Sequence, residues 1–214
     1  MTKPRSIPMQ VGWMLLLIGA ILAATNAMLF MNIEAFGHPQ IKARFHATEV
    51  AGWAHALGGA IAVLIGPWQF LSRLRTRWPR VHVWMGRTYL LAVLSGALGG
   101  LYFAPSSVGG QPGVVGFSLL AIFWLYSGAM AYISIRRGDV IAHRRWMIRN
   151  YALTFAAATL RIELGMLQLA GVQFDIAFPI VAWSSWVLNW LAAEGWLRRS
   201  RAGLAGRQQI DFKR

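Results

Sequence analysis

Cysteine is absent from the 214-residue chain. That rules out disulfides, thiolate metal sites and iron–sulfur ligation. Acid is scarce too: seven Asp and Glu stand against 21 Lys and Arg, and charged residues make up only 13% of the sequence. A soluble domain carries about 25%. No phosphate loop, hydrolase motif or nucleophile–base constellation occurs, so nothing points to a conventional soluble-type enzyme.

What is abundant is apolar residues, at 57%, gathered into long uncharged runs. These extend from Ser6 to Ile33, Val50 to Ser72, Thr88 to Ile135 and Ile176 to Ala193, and Asn150 to Gly171 is interrupted only by Arg161 and Glu163. A bilayer-crossing helix needs about 20 such residues. The third run is twice that length and is cut by a loop signal rich in Pro, Gly and Ser at 105–113. Six spans are therefore predicted, in a single membrane domain. Helix 1 and its outer loop take 1–49, a first hairpin 50–110, a second hairpin 111–172, helix 6 173–197, and a basic tail 198–214. The first run is too long for a signal-peptide core and is expected to remain as a span.

The net charge of +14 is distributed by loop. Lys3 and Arg5 precede span 1, Arg73, Arg75, Arg77, Arg80 and Arg87 fall between spans 2 and 3, and Arg136, Arg137, Arg144, Arg145 and Arg149 fall between spans 4 and 5. Further arginines from Arg198 onward follow span 6, whereas the opposite loops hold only Lys42 and Arg44. The positive-inside rule then puts both termini in the cytoplasm, in a bacterial inner membrane. The basic excess is expected to meet anionic lipid headgroups and no nucleic acid.

Displacing the sequence by 62 residues superposes Trp84-Met85-Gly86-Arg87-Thr88-Tyr89 on Trp146-Met147-Ile148-Arg149-Asn150-Tyr151. The same register pairs Gly66 with Gly128 and Arg75 with Arg137. A parallel repeat of two hairpins is predicted, with helices 2–5 as a four-helix core and helices 1 and 6 outside it. Convergence of juxtamembrane segments on Trp, Tyr and Arg is the alternative.

The copies disagree at His55, which aligns with Phe117, and at Arg161, which aligns with Gly99. At about 1.5 Å per residue, these two residues lie roughly 10 and 13 Å below the outer boundary, in one layer. His55 shares a face with Gly52, Gly59, Ala62 and Gly66; Arg161 shares one with Thr154, Ala158 and Gly165. An intramembrane polar pocket of His55, Arg161, Glu163 and Asn26 is predicted, open to the outer side. Glu163 is about 200° round the helix from Arg161 and so forms no same-face pair with it. The alternative is a satisfied structural network. Trp183, Trp186 and Trp190 read as packing or an interface belt.

Three further features involve histidine. His38 and His46 fall with Glu34 and Glu49 in the first outer loop, which is expected to be exposed, and no metal-ligand spacing is present. His82 and His143 precede the two W-M-x-R-x-Y segments at equivalent helix mouths. Two imidazoles facing across a bundle can hold a b-type haem, with Arg87 and Arg149 reaching its propionates or a lipid phosphate. Contact of both histidines with headgroups is the alternative.

Taken together, His55-Ala-Leu-Gly-Gly59, Gly66-Pro-Trp-Gln-Phe70, His82-Val-Trp-Met-Gly-Arg-Thr-Tyr89, His143-Arg-Arg-Trp-Met147 and Leu160-Arg161 resemble the bacterial predicted membrane protein family called domain of unknown function 2306, over roughly residues 50–170. That resemblance implies a membrane location and no established activity. The core is more remotely similar to cytochrome b561-type and ferric-reductase-like proteins, whose two histidine pairs hold two haems. Span 4 offers no histidine opposite His55, so this similarity implies at most one haem b, between His82 and His143.

Three functions follow as expectations. The first is a redox membrane protein using haem b or a quinone, with His55 as the proton-transfer group. The second is a non-catalytic assembly or lipid-interacting protein. The third is a small proton or anion transporter, for which only Gln69, Thr154 and Asn189 supply an inward polar trail.

Overall fold

The computed structural model describes residues 7–211, with side chains over 10–200. Lys3, Arg5 and the tail side chains beyond residue 200 lie outside the described residues. The elements are α1 (Ile7–Asn32), α2 (Pro39–Ala47), α3 (Glu49–Gln69), α4 (Ser72–Arg77), α5 (Pro79–Phe103) with a 3-10 turn at Ala104–Ser106, α6 (Gly110–Arg136), α7 (Val140–Thr154), α8 (Ala156–Leu169) and α9 (Phe174–Asp211). No strand occurs among the described residues. Six segments are long and apolar enough to cross a bilayer: Gln10–Asn32, Glu49–Gln69, Pro79–Ser106, Gly110–Arg136, Val140–Leu169 and Phe174–Ser200.

The boundaries have local causes. Pro79 opens α5 and Pro39 opens α2, where a missing N–H costs nothing. Between α6 and α7, Gly138 takes a left-handed φ of 78°. The Asp139 carboxylate then caps α7 by accepting from the Ala142 N–H at 2.8 Å. Helix resumes almost at once, so His143 and Trp146 stand inside α7 and the expected 136–149 loop shrinks to a tight turn. α9 runs on from the sixth span into the basic 198–214 segment, as far as Asp211.

The fifth span is built from α7 and α8, broken at Phe155. Here the Asn189 amide, from α9, donates to the Ala152 carbonyl at 3.2 Å and to Thr159 Oγ1 at 2.8 Å. A side chain that takes a ladder carbonyl is a recognised cause of such interruptions.

α3 packs along α5, α6 packs along α7, and α5–α6 and α3–α7 contacts close these four into a ring. α1 leans on α3 and α8, while α9 covers α6, α7 and α8. Close approach depends on small residues, as expected where lipid offers no hydrophobic drive between helices. A Cβ on Gly58 would come within 2.5 Å of the Gly96 backbone nitrogen, and one on Gly66 within 1.9 Å of the Tyr151 ring. On α9, Trp183 and Trp186 stack, and Phe123 packs against Trp186 and Trp190.

The first connecting segment departs from the exposed loop expected of it. α2 lies across the end of the bundle with Lys42 buried. The Lys42 ammonium donates to the Phe30 carbonyl at 3.0 Å and also to the Ile33 carbonyl, at the end of α1. Carbonyls left open at a helix C-terminus favour a cation. His46, Glu34 and Glu49 remain exposed.

Candidate functional site

α2 roofs a cavity of about 700 Å³ at the arginine-poor end of the bundle, where α1, α3, α5, α6, α8 and the start of α9 converge. Its roof is aromatic. Phe45 stacks on Phe103 at 4.2 Å and meets Phe30 and His55 edge-on, and His38 stacks on Phe174 at 3.9 Å. Alanine, glycine, leucine and valine form most of the wall.

Of the predicted pocket residues, His55, Arg161 and Asn26 all line this cavity. Arg161 Nε donates to Asn26 Oδ1 and Nη1 to the Ala157 carbonyl, both at 2.6 Å. A guanidinium carries five N–H donors, so these two bonds leave three. Among the described residues no carboxylate pairs with Arg161. Glu163 faces elsewhere: Ser184 Oγ, on α9, donates to its carboxylate. It belongs to a helix–helix contact and leaves the predicted set.

His55 is oriented by one bond. Its Nδ1 lies 2.7 Å from the Gly96 carbonyl, which can only accept, so the proton sits on Nδ1 and Nε2 has the free lone pair of the neutral ring. Gly100 makes room for the imidazole, since a Cβ there would lie 3.1 Å from Nδ1. Arg161 is near enough to act on His55 electrostatically.

The cavity floor contains Trp124 and Thr154, and beneath them runs a buried network. Trp124 Nε1 donates to Thr154 Oγ1 at 2.8 Å, and the Tyr89 hydroxyl donates to Asn150 Oδ1 at 2.6 Å and lies 2.8 Å from Thr154 Oγ1. Asn150 Nδ2 donates to Ser127 Oγ and to the Trp124 carbonyl, each at 2.8 Å. The polar trail is thus richer than Gln69, Thr154 and Asn189 alone. Tyr89 and Asn150 sit in the two W-M-x-R-x-Y segments, where a Tyr can read as an interface anchor and Asn150 was assigned no role. Their helical offset from the exposed Trp84 and from Arg145 was the signal that they turn inward.

At the other end, His143 Nδ1 donates to the Ala131 carbonyl at 2.9 Å, and His82 stands within electrostatic range of it. The ring nitrogen Nδ1 of His82 and Nε2 of Gln69 are buried without a hydrogen-bond partner. Arg149 is engaged by Glu194 of α9 through two N–H groups and lies 4.9 Å from the Trp146 ring centroid. Arg87 lies 5.0 Å from Trp84 in the same way.

Six helices long and apolar enough to cross a bilayer define a multi-pass helical membrane protein, and a largely apolar cavity lies among them with Arg161 on its wall. The profile of the predicted membrane protein family DUF2306 matches residues 52–197, and the chain belongs to that family. The match takes in the sixth span, beyond the 50–170 expected. No curated protein and no solved structure matches the chain.

Proposed function

We propose that this protein binds a lipophilic small molecule inside the bilayer, with the polar head of that molecule at Arg161 and His55. The observation that carries the reading is the cavity: about 700 Å³, within the roughly 300–1,000 Å³ of small-molecule sites, with few polar groups on a mostly apolar wall. A quinone is the redox member of this ligand class. Its carbonyl would accept from Arg161, and His55 Nε2 would accept a hydrogen bond from the hydroxyl of the quinol form.

The test is extraction of the full-length protein, purified in mild detergent, followed by mass spectrometry of the organic phase. Gly59 lines the cavity and a Cβ there meets nothing within 4 Å, so Gly59→Leu fills the space without a backbone clash. A lipophilic compound near one per protein, lost in Gly59→Leu, is the expected result. Identical extracts from the two proteins would sink the reading.

A haem b between His82 and His143 is the second reading. It is favoured by the Ala131 bond, which orients His143 and leaves its Nε2 for a metal. With Arg149 taken by Glu194, Arg87 is the one of the two expected contacts left to meet a propionate. A Soret band abolished by His143→Ala is the expected sign.

The membrane setting belongs to the same proposal. The arginine-rich end faces the cytoplasm of a bacterial inner membrane, both termini lie there, and its arginines meet anionic lipid. The paired Trp–Arg stackings at 5.0 and 4.9 Å favour a duplicated hairpin as the origin of the core.

A further inference from the structure

We infer that the ligand of this cavity carries a negatively charged oxyanion head, a carboxylate or a phosphate, on an apolar body. The inference rests on the cavity-binding reading above and specifies its chemistry. Arg161 and Arg44 line the cavity together with His38 and His55, and among the described residues no Asp or Glu does. The ion pair formed by the described residues is Arg149–Glu194, at the other end of the bundle. Arg161 therefore keeps its charge inside the membrane on two neutral acceptors, the Asn26 amide and the Ala157 carbonyl.

A cation within a membrane span is costly unless a counter-charge or other polar partners meet it. The nearest carboxylate along the helix, Glu163, bonds instead to Ser184. Three N–H groups of Arg161 remain after its two internal bonds, and a guanidinium edge matches an oxyanion in a bidentate pair. His55, oriented by its bond to the Gly96 carbonyl, lines the same cavity. The apolar wall and the stacked aromatic roof suit a single acyl chain or ring system, in a space sized for a drug-like molecule.

Native mass spectrometry of the full-length protein in non-ionic detergent tests this with five probes: oleate, methyl oleate, decylubiquinone, lysophosphatidate and inorganic phosphate. Oleate or lysophosphatidate is expected as a one-to-one adduct at least tenfold tighter than methyl oleate, and the stronger of the two identifies the head. Asn26→Asp places a carboxylate on Arg161 from within the protein. It should weaken the anionic probe at least tenfold while leaving the fold intact, whereas Arg161→Gln should erase the preference over the ester.

Equal binding of methyl oleate or decylubiquinone overturns the anionic head and leaves the lipophilic cavity standing. Phosphate binding as tightly as the amphiphiles overturns the apolar body. Binding of no probe, with Gly59→Leu behaving as the parent, overturns both this inference and the cavity reading.

Discussion

Arg161 of α8 donates through Nε to Asn26 of α1 at 2.6 Å, across 135 residues of sequence. One bond thus ties the first span to the charge in the fifth. A hydrogen bond to a charged group contributes about 1.5–3 kcal/mol. Asn26→Leu is expected to lose about that much in denaturant unfolding monitored in detergent. Unchanged stability would mean that Arg161 finds its acceptor elsewhere.

The network below the cavity predicts a graded series. Tyr89→Phe removes one hydroxyl and leaves Asn150 Oδ1 without its donor, a loss of about 1–3 kcal/mol for an orphaned buried group. Asn150→Leu cuts the bonds to Tyr89, Ser127 and the Trp124 carbonyl together and should cost more. Calorimetric or fluorescence melting of the two variants checks the order.

Neighbouring glycines on α3 should behave oppositely. Gly58→Ala pushes a methyl toward backbone atoms of Gly96 and Ala92, whereas Gly59→Ala meets nothing within 4 Å. Overpacking costs about 1–3 kcal/mol, so Gly58→Ala should lower the melting temperature in detergent. Gly59→Ala should leave it near the parent.

Lys42→Met keeps the length of the stem and removes the ammonium that bonds the Phe30 and Ile33 carbonyls. Amide hydrogen exchange across α2, Pro39–Ala47, should accelerate by tenfold or more, with the core of α5 unchanged. Protection equal to that of the parent would show that the Phe45–Phe103 stack alone holds the roof.

The sequence marked out His55 and Arg161 because each is expensive in lipid and each stands where the residue 62 positions away, Phe117 or Gly99, is uncharged, and both line the cavity. Asn26 could be placed at the right depth by counting residues along span 1. Glu163 was misassigned although its helical angle already separated it from Arg161: depth told nothing about which neighbour it faces, and Ser184 proved to be that neighbour. Lys42 was read as an ordinary loop charge, since nothing local marks a lysine that will meet the open carbonyls of a preceding helix. Tyr89 and Asn150 were hidden by residue type, because Tyr near a membrane boundary more often anchors to the interface than closes a buried network.

The sequence by itself determined the number of spans, their approximate limits and the unequal distribution of arginine, because hydropathy and charge act along the chain and can be read one segment at a time. Only the tertiary structure decided that α2 roofs the bundle, that Asn26 meets Arg161, that Glu163 turns away, and that a cavity remains between the helices. Those outcomes depend on crossing geometry and on where glycines let two backbones approach. They are relations between residues tens to more than a hundred positions apart, and no local pattern encodes them.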